Sequence, residues 1–263
     1  MTKIELTMED SKEFNPKNFL KELEKTINTS DSEEILNGEA YPEPFPHMII
    51  NNLYNEKELE LIWEELKFFT KPGKLLEAKD YGGVVDRTNA RAICLDDLFV
   101  RHRQMSNILT VNRKLFTSTI LKEFGKIHDC CSIAQLCNSD TTKLRYYHND
   151  DYYEAHTDKS MQFLGFSYFY KEPKKFEGGE LLFPKYDYKV PCDNNSIVIM
   201  PGWVQHAVSR VSIEDSDYFD GWGRYAITHF FGNKDKSGQK QELKNTNVKK
   251  EIAPPINQGP VGL

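Results

Sequence analysis

KLRYY (143–147), FLGFSYFY (163–170), ELLFP (180–184), YKV (188–190), SIVIM (196–200), HAVSRV (206–211) and RYAITHFF (224–231) are short runs rich in Tyr, Phe, Val and Ile, parted by Asn, Asp, Gly and Pro. Each suits a strand of about five residues. SIAQLCN (132–138), just ahead of them, reads the same way. Short strands in series, without helical stretches between them, argue for a closed or double-sheet antiparallel architecture, a jelly roll or barrel, and against a parallel sheet. A β core is therefore expected over about 132–232.

Ahead of this core the texture is helical. His47-Met48-Ile49-Ile50 reads as a strand, and Asn55 followed by Glu58 resembles a capping box opening a helix. Leu59, Ile62, Trp63, Leu66 and Phe69 recur at three-to-four spacing, which gives that helix one buried face. A second helical stretch, about 104–127, carries Ile108, Leu109, Leu115, Ile120, Leu121 and Phe124. The expected class is mainly β with flanking helices (α+β), the N-terminal helices packed on one sheet. Residues 1–45 form a polar arm with a short helical pattern at Phe19, Leu20, Leu23 and Ile27, residues 46–232 the domain, and residues 233–263 a polar tail rich in Lys, Asn, Gln and Pro.

Composition narrows the partners. The chain has 263 residues, 39% of them hydrophobic and 12% aromatic, enough for a single good core. Lys and Arg number 34 against 40 Asp and Glu, a net charge of -6, so there is no basic footprint for nucleic acid or an anionic membrane. No run approaches the roughly 18 apolar residues of a membrane helix, and MTKIELTMEDSKEF has no apolar signal region. A cytoplasmic location and a small molecule or protein segment as partner are expected. The five cysteines (Cys94, Cys130, Cys131, Cys137, Cys192) lack paired spacing and read as reduced thiols.

His156-Thr157-Asp158 sets two potential metal ligands two residues apart, and strand geometry would direct both to one face. His206, after Pro201-Gly202-Trp203, can supply a third. Two imidazoles and one carboxylate leave open the positions that suit a non-haem Fe(II) oxygenase, whereas zinc would want a fourth ligand that the nearby sequence does not offer. An HxD alone is weak, and a lone His is more often a satisfied core residue. Its company is more specific: Tyr147 through Asp158 (YHNDDYYEAHTD), then FEGGEL (176–181), NSIVIMPG (195–202), His206 and RYAIT (224–228), in that order.

This ordered string resembles the prolyl 4-hydroxylase-like family of Fe(II)- and 2-oxoglutarate-dependent oxygenases, over roughly residues 44–232. The resemblance implies a double-stranded β-helix, a distorted jelly roll. It also implies that His156, Asp158 and His206 bind Fe(II) and that Arg224 pairs with the far carboxylate of 2-oxoglutarate, a task for which a guanidinium fork is suited. Tyr147 aligns with the family's cosubstrate-contacting tyrosine, with Tyr146 and Tyr153 as neighbours that a gapped match confuses with it. Thr228 shares strand parity with Arg224, and Phe169 and Leu181 are expected to wall the cosubstrate, with ordinary core residues as the alternative. Gly178 and Gly179 read as a turn with positive φ rather than as ligand contacts.

The family places the arginine closer behind the second metal-binding histidine than Arg224, which lies eighteen positions beyond His206, so SIEDSDYFDGWG (212–223) reads as a loop insertion. Arg210 is the competing arginine, but it lacks the following YAIT. The resemblance further implies O2 as cosubstrate, ascorbate as a reductant that rescues oxidised iron, and hydroxylation of an unactivated C–H bond. A peptide or protein proline is the first expected substrate, with another protein residue or a free amino acid next. Substrate choice is expected to lie in the loops at 70–100 and 148–153 and in the insertion. A metal-binding jelly roll without turnover is the alternative from another class.

Overall fold

The computed structural model describes residues 38–81, 87–116, 118–214 and 217–233. The helical pattern at Phe19–Ile27 and the polar tail lie outside the described residues. Strands β1 (Gly38–Tyr41), β2 (His47–Asn51) and β3 (Arg91–Cys94) precede β4 (Ser139–Tyr147), β5 (Tyr153–His156), β6 (Phe163–Phe169) and β7 (Leu181–Phe183). Then come β8 (Tyr188–Val190), β9 (Ser196–Pro201), β10 (His206–Val208) and β11 (Arg224–Gly232). A seven-stranded sheet runs β1-β2-β9-β6-β11-β4-β3 and a four-stranded sheet runs β5-β10-β7-β8. All pairings are antiparallel.

The order within the sheets identifies the winding. β4 lies beside β11, β5 beside β10, β6 beside β9 and β7 beside β8. The first of the eight core strands thus pairs with the last, the second with the seventh, and so inward, as in one long hairpin coiled into two sheets. This is the double-stranded β-helix form of the jelly roll.

Strand parity divides the core between two layers. In β11, Tyr225, Ile227 and Phe231 point to the outer face of the large sheet, while Ala226 and Phe230 point between the sheets. β6 is buried on both faces along its whole length, which explains why FLGFSYF reads as an unbroken apolar run. The outer layer is closed by helices α1 (Glu56–Thr70), α2 (Leu95–Leu98), α3 (Asn107–Val111) and α4 (Ser118–Gly125). Ile62, Leu66 and Phe69 of α1 are fully buried in that layer. Asn55 caps α1 by accepting from the Glu58 amide while the Glu58 carboxylate accepts from the Asn55 amide, 3.0 Å each, an arrangement worth about 1 kcal/mol.

Three expectations are corrected. SIAQLCN is not a strand but part of a 3-10 segment, Asp129–Leu136. Its buried residues Cys131 and Ala134, with Cys137 just past its end, recur every third position, the period of that helix, whereas the exposed Ile133 and Leu136 produced the appearance of an apolar run. The β core consequently starts at Ser139 rather than 132. The stretch at 104–127 is not one helix but short α and 3-10 segments. The large sheet also reaches into the stretch read as an arm, since Gly38–Tyr41 pairs with β2.

Candidate metal and cosubstrate site

β5 and β10 lie side by side with His156 opposite His206 in register, which brings the two imidazoles to a ring separation of 4.4 Å. Asp158 lies beyond the end of β5, in a turn rather than on the strand, so strand alternation does not place it. The turn is held by backbone: the Asp158 amide donates to the Gly202 carbonyl at 3.0 Å, and the Gly202 amide donates to the Gln162 carbonyl at 3.1 Å. A Cβ on Gly202 would stand 2.3 Å from the Met161 carbonyl and 2.7 Å from that of Asp158. The Pro-Gly of the motif therefore lets two backbones meet where the carboxylate must be aimed.

The outcome is a convergent set. Asp158 Oδ2 lies 3.9 Å from His156 Nε2 and 3.7 Å from His206 Nε2, and one ligand atom from each of the three residues lies within 4.8 Å of the others. Each imidazole faces a backbone carbonyl through Nδ1, His156 that of Glu154 at 2.8 Å and His206 that of Val204 at 3.0 Å. With Nδ1 donating, Nε2 presents its lone pair toward the carboxylate, the orientation a metal ligand requires. Burial holds both rings in the neutral form, His206 with its pKa pushed down to about 3 and His156 also lowered. Tyr153 stacks on His156 at 4.0 Å and 21°, which fixes the ring plane. The donor set fits a divalent metal with open positions for further ligands.

The same cavity, of about 350 Å³, is lined by Tyr147, Leu181, Arg224 and Thr228. Arg224 is 1% exposed. Its guanidinium carbon sits 4.7 Å from the centre of the Tyr147 ring and 4.8 Å from that of Tyr168. Nε and Nη1 are buried and have no hydrogen-bond partner among the described residues, while the Tyr168 hydroxyl and the Cys192 thiol are the polar neighbours of the guanidinium. A fully buried cation with idle donors is costly unless an anion completes it. Gly179 makes room for it: φ is +76°, and a Cβ there would stand 2.7 Å from Arg224 Cδ. Gly178 also has φ +76°, as the turn reading expects, but the close approach at Gly179 ties that turn to the arginine.

The remaining sequence expectations separate by strand parity. Tyr147 faces the cavity, whereas Tyr146 faces the helical layer and accepts a hydrogen bond from the Gly223 amide at 2.9 Å. Tyr153 reaches the cavity as well, on the metal side. Phe169 is a correction: it lies in the helical layer against Tyr54, 5.9 Å between rings, and not on the cavity wall. Phe166 and Tyr168 of the same strand occupy the inward face. Arg210 is more than half exposed and donates to the Asp150 carbonyl at 2.8 Å, outside the cavity. The insertion returns over the outer face, where Tyr218 packs edge-on against Tyr146 at 5.0 Å, and none of its described residues lines the cavity.

Sequence reasoning missed Tyr81, Asp97, Lys143, Arg145 and Phe230 on the cavity wall. Lys143 and Arg145 carried a usable signal, since they alternate with Leu144 and Tyr146 on one strand and share the parity of Tyr147.

No protein-family model matches the chain and no curated protein matches it in sequence. Solved structures with a similar trace include a Pseudomonas putida prolyl-4-hydroxylase, at 14% identity and a TM-score of 0.43 over 72% of this chain and 93% of that one. A viral collagen prolyl hydroxylase from Paramecium bursaria Chlorella virus-1, in a 2-oxoglutarate complex, matches at 13% identity and a TM-score of 0.41, over 70% of this chain and 94% of that one. A 2OG-Fe(II) oxygenase family oxidoreductase from Burkholderia pseudomallei matches at 14% identity and a TM-score of 0.45, over 71% of this chain and 85% of that one. At these scores the likeness carries no weight for activity, which must come from the site itself.

Proposed function

We propose that this chain is an Fe(II)- and 2-oxoglutarate-dependent oxygenase that hydroxylates an unactivated C–H bond. The observation that carries the reading is Arg224, a buried guanidinium with idle donors, opening into the cavity that holds His156, Asp158 and His206. A structural metal needs no such anchor, whereas a dicarboxylate that chelates iron at one end needs a cation at the other.

In this reading His156, Asp158 and His206 hold Fe(II), and the iron with 2-oxoglutarate supplies the O2-activating chemistry. Arg224 binds the far carboxylate bidentately, and its permanent charge makes that grip independent of pH. Tyr147 and Tyr168 cover the faces of the guanidinium and keep water from it. Thr228 lies on the same inward face, where its hydroxyl can donate to the bound acid. Leu181 contributes an apolar wall. A prolyl residue of a peptide or protein is the proposed substrate, carried by the resemblance of the motif string, and ascorbate the proposed auxiliary reductant.

Anaerobic titration with Fe(II) and 2-oxoglutarate tests the reading. A weak visible charge-transfer band of a chelated 2-oxo acid is expected, and its loss in Arg224→Ala. Iron binding without the band would transfer the assignment to a metal-binding scaffold.

A further inference from the structure

The cavity holds two more cations that the metal and cosubstrate do not use. Lys143 and Arg145 stand on β4, on the inward face beside Tyr147. In the ladder Lys143 lies opposite Thr228 and Arg145 opposite Ala226, while Arg224 lies opposite Tyr147. With about 3.3 Å per residue, Lys143 is about 13 Å along the strand from Tyr147. Phe166 faces His206 at 5.2 Å and is the ladder partner of Thr228, so Lys143 stands at the level of the metal ligands, away from the Arg224 end.

Neither cation forms an ion pair among the described residues. Arg145, 6% exposed, donates to the Tyr81 hydroxyl at 3.1 Å and lies over the Tyr153 ring at 4.7 Å. Lys143 lies over Tyr81 at 5.4 Å and Phe230 at 6.0 Å. Burial and the neighbouring Arg145 both disfavour its charged form. The acids on the cavity wall are Asp158, a metal ligand in the present reading, and Asp97, which is engaged with the Cys94 thiol. Fe(II), Asp158, a 2-oxoglutarate dianion and Arg224 cancel one another. Lys143, Arg145 and Asp97 then leave one positive charge in excess. Two cations kept side by side in a half-dry cavity are costly unless a ligand neutralises one of them.

We infer that Lys143 and Arg145 form a substrate subsite that binds a carboxylate, with Tyr81 and Phe230 packing on the carbon skeleton that bears it. The inference rests on the oxygenase reading and adds the charge of the substrate to it. The carboxylate belongs either to a free amino acid or to an acidic residue next to the reacting one in a peptide.

The test uses the full chain loaded anaerobically with Fe(II) and 2-oxoglutarate, with binding followed by calorimetry. The probes are the common L-amino acids as free acids and as primary amides, and capped tripeptides with Glu or Gln beside a central proline. At least one carboxylate probe is expected to bind at least tenfold more tightly than its amide or Gln counterpart. Lys143→Gln and Arg145→Gln should each erase that preference while keeping the charge-transfer band, which reports an intact iron and cosubstrate site. Lys143 is the less buried of the two and serves if Arg145→Gln does not fold. Binding by free acids alone assigns an amino acid, and binding by the Glu peptide alone assigns an acidic peptide. Equal binding of acid and amide, no binding by any carboxylate probe, or an undiminished preference in both variants overturns the inference. Absence of the band in the wild-type chain overturns the oxygenase reading instead.

Discussion

Replacing Arg224 by Met separates a cosubstrate anchor from a structural arginine, because the two roles predict opposite effects on the unliganded fold. Met keeps an unbranched chain between Tyr147 and Tyr168 but removes the charge and the idle donors at Nε and Nη1. Two charge-assisted hydrogen bonds to a carboxylate are worth roughly 1.5–3 kcal/mol each. Their loss should weaken 2-oxoglutarate by about two to four orders of magnitude. In the unliganded protein the same change removes two unsatisfied buried donors, a relief of roughly 1–3 kcal/mol each, against about 0.5–2 kcal/mol of lost cation–π contact. Stability without ligand should therefore hold or rise, in contrast to the loss of about 3–5 kcal/mol expected when a buried ion pair is broken. Thermal melting of the Fe(II) protein, with and without 2-oxoglutarate at about a hundred times its Kd, reads both effects. The wild type should gain about 2.7 kcal/mol from the ligand and Arg224→Met nothing. A variant that melts far earlier without ligand, yet still responds to it, would refute the argument.

Phe169→Ala should cost about 3–5 kcal/mol of stability through the cavity left against Tyr54 while 2-oxoglutarate affinity stays within about threefold; a selective loss of affinity would restore Phe169 to the cosubstrate wall. Gly179→Ala should weaken 2-oxoglutarate more than tenfold, measured by the same titration, since its methyl would enter the space of Arg224 Cδ and the backbone is at φ +76°. Gly202→Ala should lower iron affinity at least tenfold by displacing the Asp158 turn, read by equilibrium dialysis. Glu65 of α1, buried against the start of α3, accepts from Ser106 Oγ at 2.8 Å and from the Ile108 amide at 2.7 Å, and burial raises its pKa from 4.5 to about 7. Between these values the folded state keeps a proton that the unfolded state has released. The contribution of Glu65 to stability should thus fall as pH rises through that window and level off above it, by on the order of 3 kcal/mol. Urea midpoints across the window should show that slope in the difference between the wild type and Glu65→Gln, and a difference that does not change with pH would refute it.

The parts legible in the sequence are those where one residue type has one use. Seven of the β-core strands announce themselves because large apolar side chains are needed on at least one face, and turn residues mark their ends. The strand bearing His156 stands out in no apolar run, since YEAH is short and only half covered, and the strand geometry expected over His156-Thr157-Asp158 stops at His156. SIAQLCN deceived because an exposed Ile133 and Leu136 look apolar in sequence but face outward on a three-residue period. Phe169 deceived for a related reason: in a strand buried on both faces, composition does not say which face belongs to the cavity. That information lies in the pairing register, and there Tyr168 and Phe169 part company.

Register also accounts for what the large sheet can do. Its outer face, sealed by α1, α3 and α4, carries Tyr146, Tyr225, Ile227 and Phe231. Its inner face carries Lys143, Arg145, Tyr147, Arg224 and Thr228 on the two adjacent strands β4 and β11. Because alternate residues face opposite ways, the apolar burial that stabilises the sheet and the charges that its cavity needs do not compete for the same positions. Three cations can then be kept in one cavity without ion-pair partners among the described residues, since the outer layer supplies cohesion on the same strands. A chain with this division should tolerate neutralising any one of the three with little loss of fold, while the ligand lost should differ with the position: the 2-oxo acid at Arg224, the substrate carboxylate at either Lys143 or Arg145.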